Sequence, residues 1–581
     1  MTFKSVTGKS WKLKNVDSNK VLKLIEEFSL SEIISKLLVI RNISDKDVKN
    51  FLNPDLKKHL PSPSIFKDMN ISIDHVYSII KDKSTIGIFG DYDVDGASSV
   101  AMLIKFFRKI KLPYDFLIPD RQKDGYGPSI NTFDKLLRNK VKTIITVDCG
   151  TLSNEAIDYA NTKNVPTIIL DHHQASINLP KALAVINPSR IDDNSKLEYL
   201  CATSITFFFL SALNKKLKDT NWYKNNNVIQ PNLFEFLDLV ALATICDVVP
   251  LVGLNRPLVK YGLKIIHKRK NLGIKILSDI SKISSSPSVS HLGYIFGPKI
   301  NAGGRLGYSS YGTKLLSTSD IKEANYLSVK LDKLNEERKK IENSHMDIVL
   351  KEAELQKNSP VLVLYNRNFH EGLIGILAAR IKDKFFKPTI ILTGLNNILK
   401  GSGRSVYGFD IGVLIMKAIE KKIIIKGGGH KMAAGFTIDK KNLTLLKEFL
   451  NSSFTKIVIK EKINNTVYAD SILLPSALNE SFYNQIDLLS PFGPGNHDPF
   501  FIIENVKVLK FKIIQNKHIN SILISKDRRS INAICFNAKN TLLESYLCEK
   551  KKNINIVGKL SLNNWLGKKQ VQFIINDVSI N

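Results

Sequence analysis

Apolar positions along this chain change their spacing three times. Between residues 70 and 310, three unbroken apolar runs stand at 85–90, 143–147 and 166–170. Runs this short, apolar on both faces and rich in Ile, Val and Thr, predict buried strands of a parallel sheet. Apolar residues spaced three and four apart follow at 97–110, 154–162, 201–216 and 234–246 and predict helices. Strands alternating with helices at this interval predict a doubly wound α/β domain. Ahead of it, residues 1–60 carry short amphipathic stretches (18–28, 30–38) and no chemical signal, and Pro61 and Pro63 mark a boundary. Residues 314–357 are dense in Lys, Glu and Leu, 324–342 above all, and predict one long helix. Its charge pattern suits either an interdomain connector or a solvated surface helix. A second, smaller α/β pattern has strands at 361–365 and 389–393, a helix at 373–382, and glycines at 401, 403 and 427–429. Past residue 460, short strands recur at 506–514, 521–525, 531–536, 555–560 and 570–577, which predicts a five-stranded barrel. The expected domains are an N-terminal segment 1–68, a catalytic α/β domain 69–310, a connector helix 311–357, the second α/β domain 358–458 and a β-barrel 459–581.

Composition narrows the classes. A chain of 581 residues is too long for one core. With 43% hydrophobic and 24% charged residues it is of globular type, which argues against a disordered or fibrous protein. No apolar run approaches the roughly 18 residues of a membrane span, and residues 1–20 have lysines without an apolar core. The expectation is a cytoplasmic protein with no membrane partner. Five scattered cysteines without CxxC pairing predict reduced thiols and no structural zinc. A net charge of +30 points to a polyanion, nucleic acid first. Only 14 of the 84 basic residues are Arg, so each arginine carries more information than a lysine.

The acidic residues change the picture most. The first predicted strand runs into Asp91, Asp93 and Asp95, the second into Asp148, and the third into Asp171, His172 and His173. Loops past the carboxyl ends of parallel strands share one crevice. Asp247, where the 234–246 helix gives out, is a fourth contributor. Carboxylates gathered so closely repel one another unless cations neutralise them. Hard oxygen ligands with one or two imidazoles suit manganese or magnesium better than zinc. Two such ions can clamp an in-line attack on phosphorus. Taken singly, each strand-end Asp is equally a helix N-cap, and each His an ordinary hydrogen-bonded side chain; the conjunction of three such loops favours metal.

The motif from Gly90 to Gly96, the Val147–Asp148–Cys149–Gly150 turn and the Asp171–His172–His173 triplet resemble the DHH phosphoesterase superfamily. Further motifs in the same order narrow the resemblance to its RecJ family: Ile118–Pro119–Asp120–Arg121 with Gly125–Tyr126–Gly127, the segment from Phe296 to Arg305, His370–Glu371–Gly372, Gly401–Ser402–Gly403–Arg404, Gly427–Gly428–Gly429–His430, and Pro491 to Asn496. The resemblance implies a 5′→3′ exonuclease specific for single-stranded DNA, releasing mononucleotides in recombination and repair. It implies a DHH domain, a DHH-associated domain and an OB-fold barrel. It implies two Mn²⁺ or Mg²⁺ ions held by Asp93, Asp95, Asp148, His172 and Asp247, with Asp91 ligating or supporting. Asp171 would orient the histidines and His173 would touch the scissile phosphate or move a proton. Arg121, Arg305, Ser402 and Arg404 match phosphate-binding positions. The 427–430 loop would bring backbone at Gly428 and Gly429, and the His430 ring, close to substrate. Single-strand-binding protein and a helicase are implied partners of a monomer. Asp120, Lys299, Gly303 and His497 depart from the family pattern, and Ala202–Thr203–Ser204 replaces a glycine-rich helix start that Thr203 or Ser204 can still cap.

In the barrel, Phe500, Phe501, Phe511, Phe536, Trp565 and Phe573 are candidates for base stacking, with core packing as the alternative. Two other functions compete with the exonuclease: a small-substrate phosphoesterase, such as an oligonucleotide hydrolase or pyrophosphatase, and a non-catalytic DNA-binding scaffold. The basic barrel, with 14 Lys or Arg against five Asp or Glu over 501–581, argues against the first. The full set of carboxylates argues against the second.

Overall fold

A computed structural model describes all residues except 1, 122, 126, 284–285, 459–465, 550–551, 566–567 and 581, and leaves out the side chains at 2, 456–458, 564–565 and 568. Tyr126, the Trp565 side chain and the expected boundary at 459 therefore lie outside the described residues. The chain forms two compact units.

One unit comprises Pro61–Val249 and Tyr261–Ile463. Its first sheet has five strands in the order Tyr114–Leu117, Ile86–Gly90, Thr143–Val147, Thr167–Leu170, Ala184–Ile186. Every pairing is parallel. The three strands expected from apolar runs are fully buried. The two others escape that reading because Tyr114–Leu117 is half-exposed and polar at Asp115, and Ala184–Ile186 is only three residues long. Helices Val94–Lys109, Asn154–Thr162, Ala202–Asp219 and Leu237–Cys246 lie close to their expected places.

The long helix runs from Ile321 to Leu355, 35 residues and roughly 50 Å at 1.5 Å per residue. It packs against Gly297–Arg305 and against Ile374–Phe385, so it joins the two α/β parts. It is not a purely solvated helix, since Asn335, Arg338 and Glu342 are buried on it. The second sheet is mixed, in the order Lys426–His430, Ala433–Asp439, Ile398–Arg404, Thr389–Thr393, Leu362–Tyr365. Only the last pair is parallel. The glycines at 427–429 read as a loop in the sequence. They instead lie in an edge strand paired with Ala433–Asp439. Glycine is a poor strand former, but a Cβ on Gly429 would come within 2.4 Å of the Ala433 carbonyl, so the tight hairpin itself demands it.

The second unit comprises Met1–Leu60, Pro250–Lys260 and Asn464–Asn581. Strands Phe501–Ile514, His518–Ile524, Ser530–Cys535, Lys568–Ile580 and Ile554–Trp565 pair in that order, and the last closes on the first. The result is a five-stranded barrel. Phe501 and Phe573 are completely buried, so these two are core and not stacking platforms. Phe536 is half-exposed and sits edge-on to His518, with ring centroids 5.2 Å apart. Residues 1–60 do not stand apart from the barrel. Leu24, Ile34, Leu37 and Leu38 share one core with Phe501, Ile556 and Phe573. The buried Asp577 carboxylate accepts hydrogen bonds from Ser5, Thr7 and the Trp11 indole. In the Pro491–Asn496 motif, the Leu251 amide donates to the Pro494 carbonyl, and Arg256 caps the carbonyls of Leu488, Leu489 and Ser490.

Candidate metal centre and end-binding pocket

The crevice at the carboxyl ends of the parallel strands gathers the acidic residues. Asp93 N-caps helix Val94–Lys109, accepting from the Asp95 and Gly96 amides through one oxygen. Capping and ligation are thus compatible, because Oδ2 is left over. Gly96 is required there: a Cβ would come within 2.4 Å of the Asp91 carbonyl. Asp95 meets the start of helix Ala202–Asp219. Its oxygens accept from the Ala202 amide (2.7 Å), the Thr203 amide (2.8 Å) and the Thr203 hydroxyl (2.6 Å). Thr203 therefore replaces the glycine-rich start not by capping its own helix but by fixing Asp95 across the site. Asp148 sits at φ +59°, a left-handed conformation that Asp tolerates better than most residues and that turns its carboxylate into the crevice. Asp247 ends helix Leu237–Cys246 and is followed by Val248 at φ +61°, an uncommon conformation for a β-branched residue.

Among the described residues, three groups hold ligand-type atoms within 4.8 Å of one another: Asp91, Asp93 and Asp148; Asp148, His172 and His173; Asp95, His172 and Asp247. Asp148 and His172 recur, so the groups form one continuous cluster with Asp148 central. His172 Nε2 stands 3.3 Å from Asp148 Oδ1, 3.6 Å from Asp247 Oδ2 and 3.8 Å from Asp95 Oδ2. That atom is buried and has no hydrogen-bond partner. A buried nitrogen ringed by three carboxylates and bonded to none is the arrangement expected of a metal ligand. The residues fit divalent cations.

Electrostatics agree. Burial, then the neighbouring Asp95, pushes the Asp148 and Asp247 carboxyls well above the ordinary range. Burial, then Asp93, lifts Asp91 to about 8. Burial lowers the imidazole of His172, favouring the neutral form that ligates metal. Asp171 behaves differently. It is buried, yet it accepts from the Thr151 amide and hydroxyl, the His172 and His173 amides and the His173 ring. These bonds outweigh burial and hold its carboxyl below the usual range. For His173 burial works against the charged form, but the 2.8 Å bond to Asp171 outweighs it and lifts the ring to about 9. Sequence reasoning missed Asn187 and Ser189. Asn187 donates to the Thr151 hydroxyl and the His173 carbonyl, and the Ser189 hydroxyl donates to the His172 carbonyl. Both follow a strand of three residues, too short to signal the loop they start.

The arginines meet at a second place. Arg305 is lowered to about 10 by burial and then by Arg121, with Arg338 and Arg404 adding. Arg404 is lowered by burial and then by Arg121. Four guanidinium groups thus converge, and among the described residues Arg338 alone of the four forms an ion pair within 4 Å, with Glu342 at 2.6 Å. Arg121 lies over the Tyr92 ring at 5.5 Å, and Tyr92 stands between Asp91 and Asp93 in sequence. Arg404 donates to the Gly403 carbonyl and lies 3.4 Å from the Ser402 hydroxyl. A Cβ on Gly375 would crowd both, at 3.1 Å, so the helix start at Ile374 approaches this pair closely only because residue 375 is glycine. His430 stacks toward His173, ring centroids 6.4 Å apart, which places the edge strand beside the carboxylate cluster. Gly428 has nothing within 4 Å of a built Cβ and faces open space.

Three family models match the chain: the DHH family N-terminal domain over residues 85–244, the DHHA1 domain over 358–456 and the RecJ OB domain over 469–577. The single-stranded-DNA-specific exonuclease RecJ of Escherichia coli (strain K12) is 30% identical over 519 residues, covering 87% of this chain and 89% of that protein. The chain belongs to the RecJ family. The RecJ of Bacillus subtilis (strain 168) is 28% identical over 576 residues, 98% of this chain and 71% of that protein. RecJ of Thermus thermophilus in complex with Mn²⁺ shares the fold, with a TM-score of 0.81 at 23% identity over 98% of this chain and 79% of that one. A crystal structure of exonuclease RecJ bound to manganese has a TM-score of 0.58 at 27% identity, over 70% of this chain and 98% of that one.

Thr203 tests the centre without replacing a proposed ligand. Thr203→Val keeps the volume and removes the hydroxyl that holds Asp95. Metal affinity is expected to fall about 10- to 100-fold, as for lost outer partners of metal ligands. Titrating activity against Mn²⁺ checks this; an unchanged midpoint would free Asp95 from dependence on Thr203.

Proposed function

We propose that the chain is a metal-dependent exonuclease specific for single-stranded DNA, acting 5′→3′ and releasing mononucleotides. The observation that carries this is the partnerless His172 Nε2 inside a ring of Asp95, Asp148 and Asp247. RecJ relatives are named for single-stranded-DNA exonuclease action, and RecJ structures hold Mn²⁺ or Mg²⁺.

Asp93, Asp95, Asp148, His172 and Asp247 would hold two divalent ions, with Asp91 completing the shell. The ions would lower the pKa of an attacking water and neutralise the phosphoryl oxygens. The remaining steps belong to the protein. Asp148, shared between two of the ligand groups, would contribute to both. Asp171 binds His173 Nδ1, so Nε2 carries any contact with the scissile phosphate. Arg121, Arg305, Arg404 and Ser402 would take the terminal phosphate, whose charge relieves the guanidinium repulsion. Gly428, Gly429 and His430 would guide the strand past the edge of the second sheet. The end phosphate, a group that sits on one end of DNA, is what favours attack from the 5′ side.

On the barrel, Lys507, Lys510 and Lys512 are exposed along one strand and offer a basic track for the DNA backbone. Work in recombination and repair, in the cytoplasm, as a monomer beside single-strand-binding protein and a helicase, completes the reading. Among the described residues no helix is long and apolar enough to cross a membrane.

The test uses 5′- and 3′-labelled oligonucleotides, single- and double-stranded, with Mn²⁺, Mg²⁺ or chelator. Expected are labelled mononucleotides at once from the 5′-labelled single strand, shortened ladders from the 3′-labelled one, and no product from the duplex or with chelator. Release of 3′-terminal nucleotides first would reverse the polarity, and chelator-resistant cleavage would end the metal reading.

A further inference from the structure

Each guanidinium of the arginine cluster leans on something. Arg305 donates to the Gly372 carbonyl (2.9 Å), Arg404 to the Gly403 carbonyl (2.8 Å) and Arg338 to Glu342 (2.6 Å). For Arg121 the contact is an aromatic face: its guanidinium lies 5.5 Å from the centre of the Tyr92 ring. After burial, Arg121 is the foremost cause lowering both Arg305 and Arg404. Those two cations therefore repel it in turn.

Tyr92 is itself held from two directions in the sequence. A Cβ built on Gly304 would come within 2.8 Å of Tyr92 Cδ2 and 3.0 Å of its Cβ, so the tyrosine occupies the place that a side chain at 304 would fill. Gly304 immediately precedes Arg305 at the end of helix Gly297–Arg305. Along the chain, Tyr92 stands between Asp91 and Asp93, just past strand Ile86–Gly90, and its amide donates to Asp91 Oδ1 at 2.8 Å. Burial, then Asp91, pushes the phenol up. The ring thus stays neutral, and Arg121 meets a π face rather than a phenolate charge.

We propose that Tyr92 is a positioning residue for the end phosphate: its ring, seated on Gly304, keeps the Arg121 guanidinium in place against repulsion from Arg305 and Arg404. This rests on the exonuclease reading and its 5′-phosphate pocket. An arginine has many rotamers, and an unbraced one would turn toward water and away from its fellow cations. A guanidinium already stacked on a ring loses less freedom on taking the phosphate. The hydroxyl takes no part, because the ring face carries the contact. The end pocket is thereby anchored to the loop that bears Asp91 and Asp93.

The test measures kcat/KM on two single strands of one sequence, one with a 5′-phosphate and one with a 5′-hydroxyl, together with the Mn²⁺ midpoint. The proteins are wild type, Tyr92→Phe, Tyr92→Leu and Gly304→Ala. Tyr92→Leu keeps bulk without a π face. It is expected to lower kcat/KM about tenfold on the phosphate end, the scale of a desolvated cation–π contact, and less than about twofold on the hydroxyl end. Tyr92→Phe keeps the face and is expected to match wild type on both ends. Gly304→Ala pushes the ring off its seat and is expected to copy Tyr92→Leu, which serves should the leucine variant fail to fold. In an Arg121→Ala background Tyr92→Leu is expected to cost little more, since the two side chains act as a pair. Mn²⁺ midpoints are expected to stay together throughout. Equal losses on the two ends, a phenylalanine variant as poor as the leucine one, a raised Mn²⁺ midpoint in Gly304→Ala, or a full further loss in the Arg121→Ala background would overturn this role and leave the exonuclease in place. Wild type with no preference for the 5′-phosphate would overturn it together with the end pocket. Wild type that cuts neither strand would overturn the exonuclease as well.

Discussion

Asp148→Ala is expected to lower the cleavage of single-stranded DNA at saturating Mn²⁺ by about 10³-fold or more, the loss of several kcal/mol of charge stabilisation in the transition state. Asp148 lies in two of the three ligand groups and stands 3.3 Å from His172, so on the proposed two-ion reading its removal would open both positions at once. Outer supports such as Thr203 act through one ligand only. Binding of a labelled strand should change by less than about tenfold, because the arginine pocket and barrel keep their charges. The variant should also fold: burial pushes the Asp148 carboxyl well up, so its charge is a cost to the metal-free protein. Fluorescence anisotropy beside the rate assay separates the outcomes. Rates within tenfold of wild type would remove Asp148 from the centre, and joint loss of binding and rate would make its role structural.

Arg404→Ala is expected to cut kcat/KM on 5′-phosphorylated strands by about 10- to 100-fold, matching 1.5–3 kcal/mol for a charged hydrogen bond. On 5′-hydroxyl strands the loss should be severalfold at most. The cause is the crowding of cations. Burial and Arg121 both work against the Arg404 charge, and a bound terminal dianion would reverse that balance. Without a dianion, removing one guanidinium relieves repulsion and costs little. Equal losses on both ends would move Arg404 from end recognition to general backbone binding.

Much of this centre is legible in the residue order. A strand buried on both faces must be apolar throughout, so an Asp directly past its end stands out, and three successive loops of that kind place Asp91 to Asp95, Asp148 and Asp171 to His173 in one crevice. Motif order carried the rest of the site, including Arg305 and Arg404, which lie far along the chain from Arg121. What pattern could not reach was polar contact at long range. Thr203 holds Asp95 from 108 residues away, and no local spacing announces it. The 427–430 segment reads as a loop because strand propensity is a statement about side chains, and a glycine strand has none; its hairpin partner supplies the order.

The sequence by itself determined the division into α/β, α/β and barrel parts, the carboxylate cluster and the ion class, because each follows from local period or from the charge of neighbouring loops. Only the tertiary structure decided that residues 1–60 share the barrel's core, that Asp171 hydrogen-bonds the His173 ring while Asp148 falls in two of the three ligand groups, and that Arg121 packs over Tyr92 beside the acids. These depend on which surfaces meet and which hydrogen bonds are completed, and burial of that kind is a property of the folded whole.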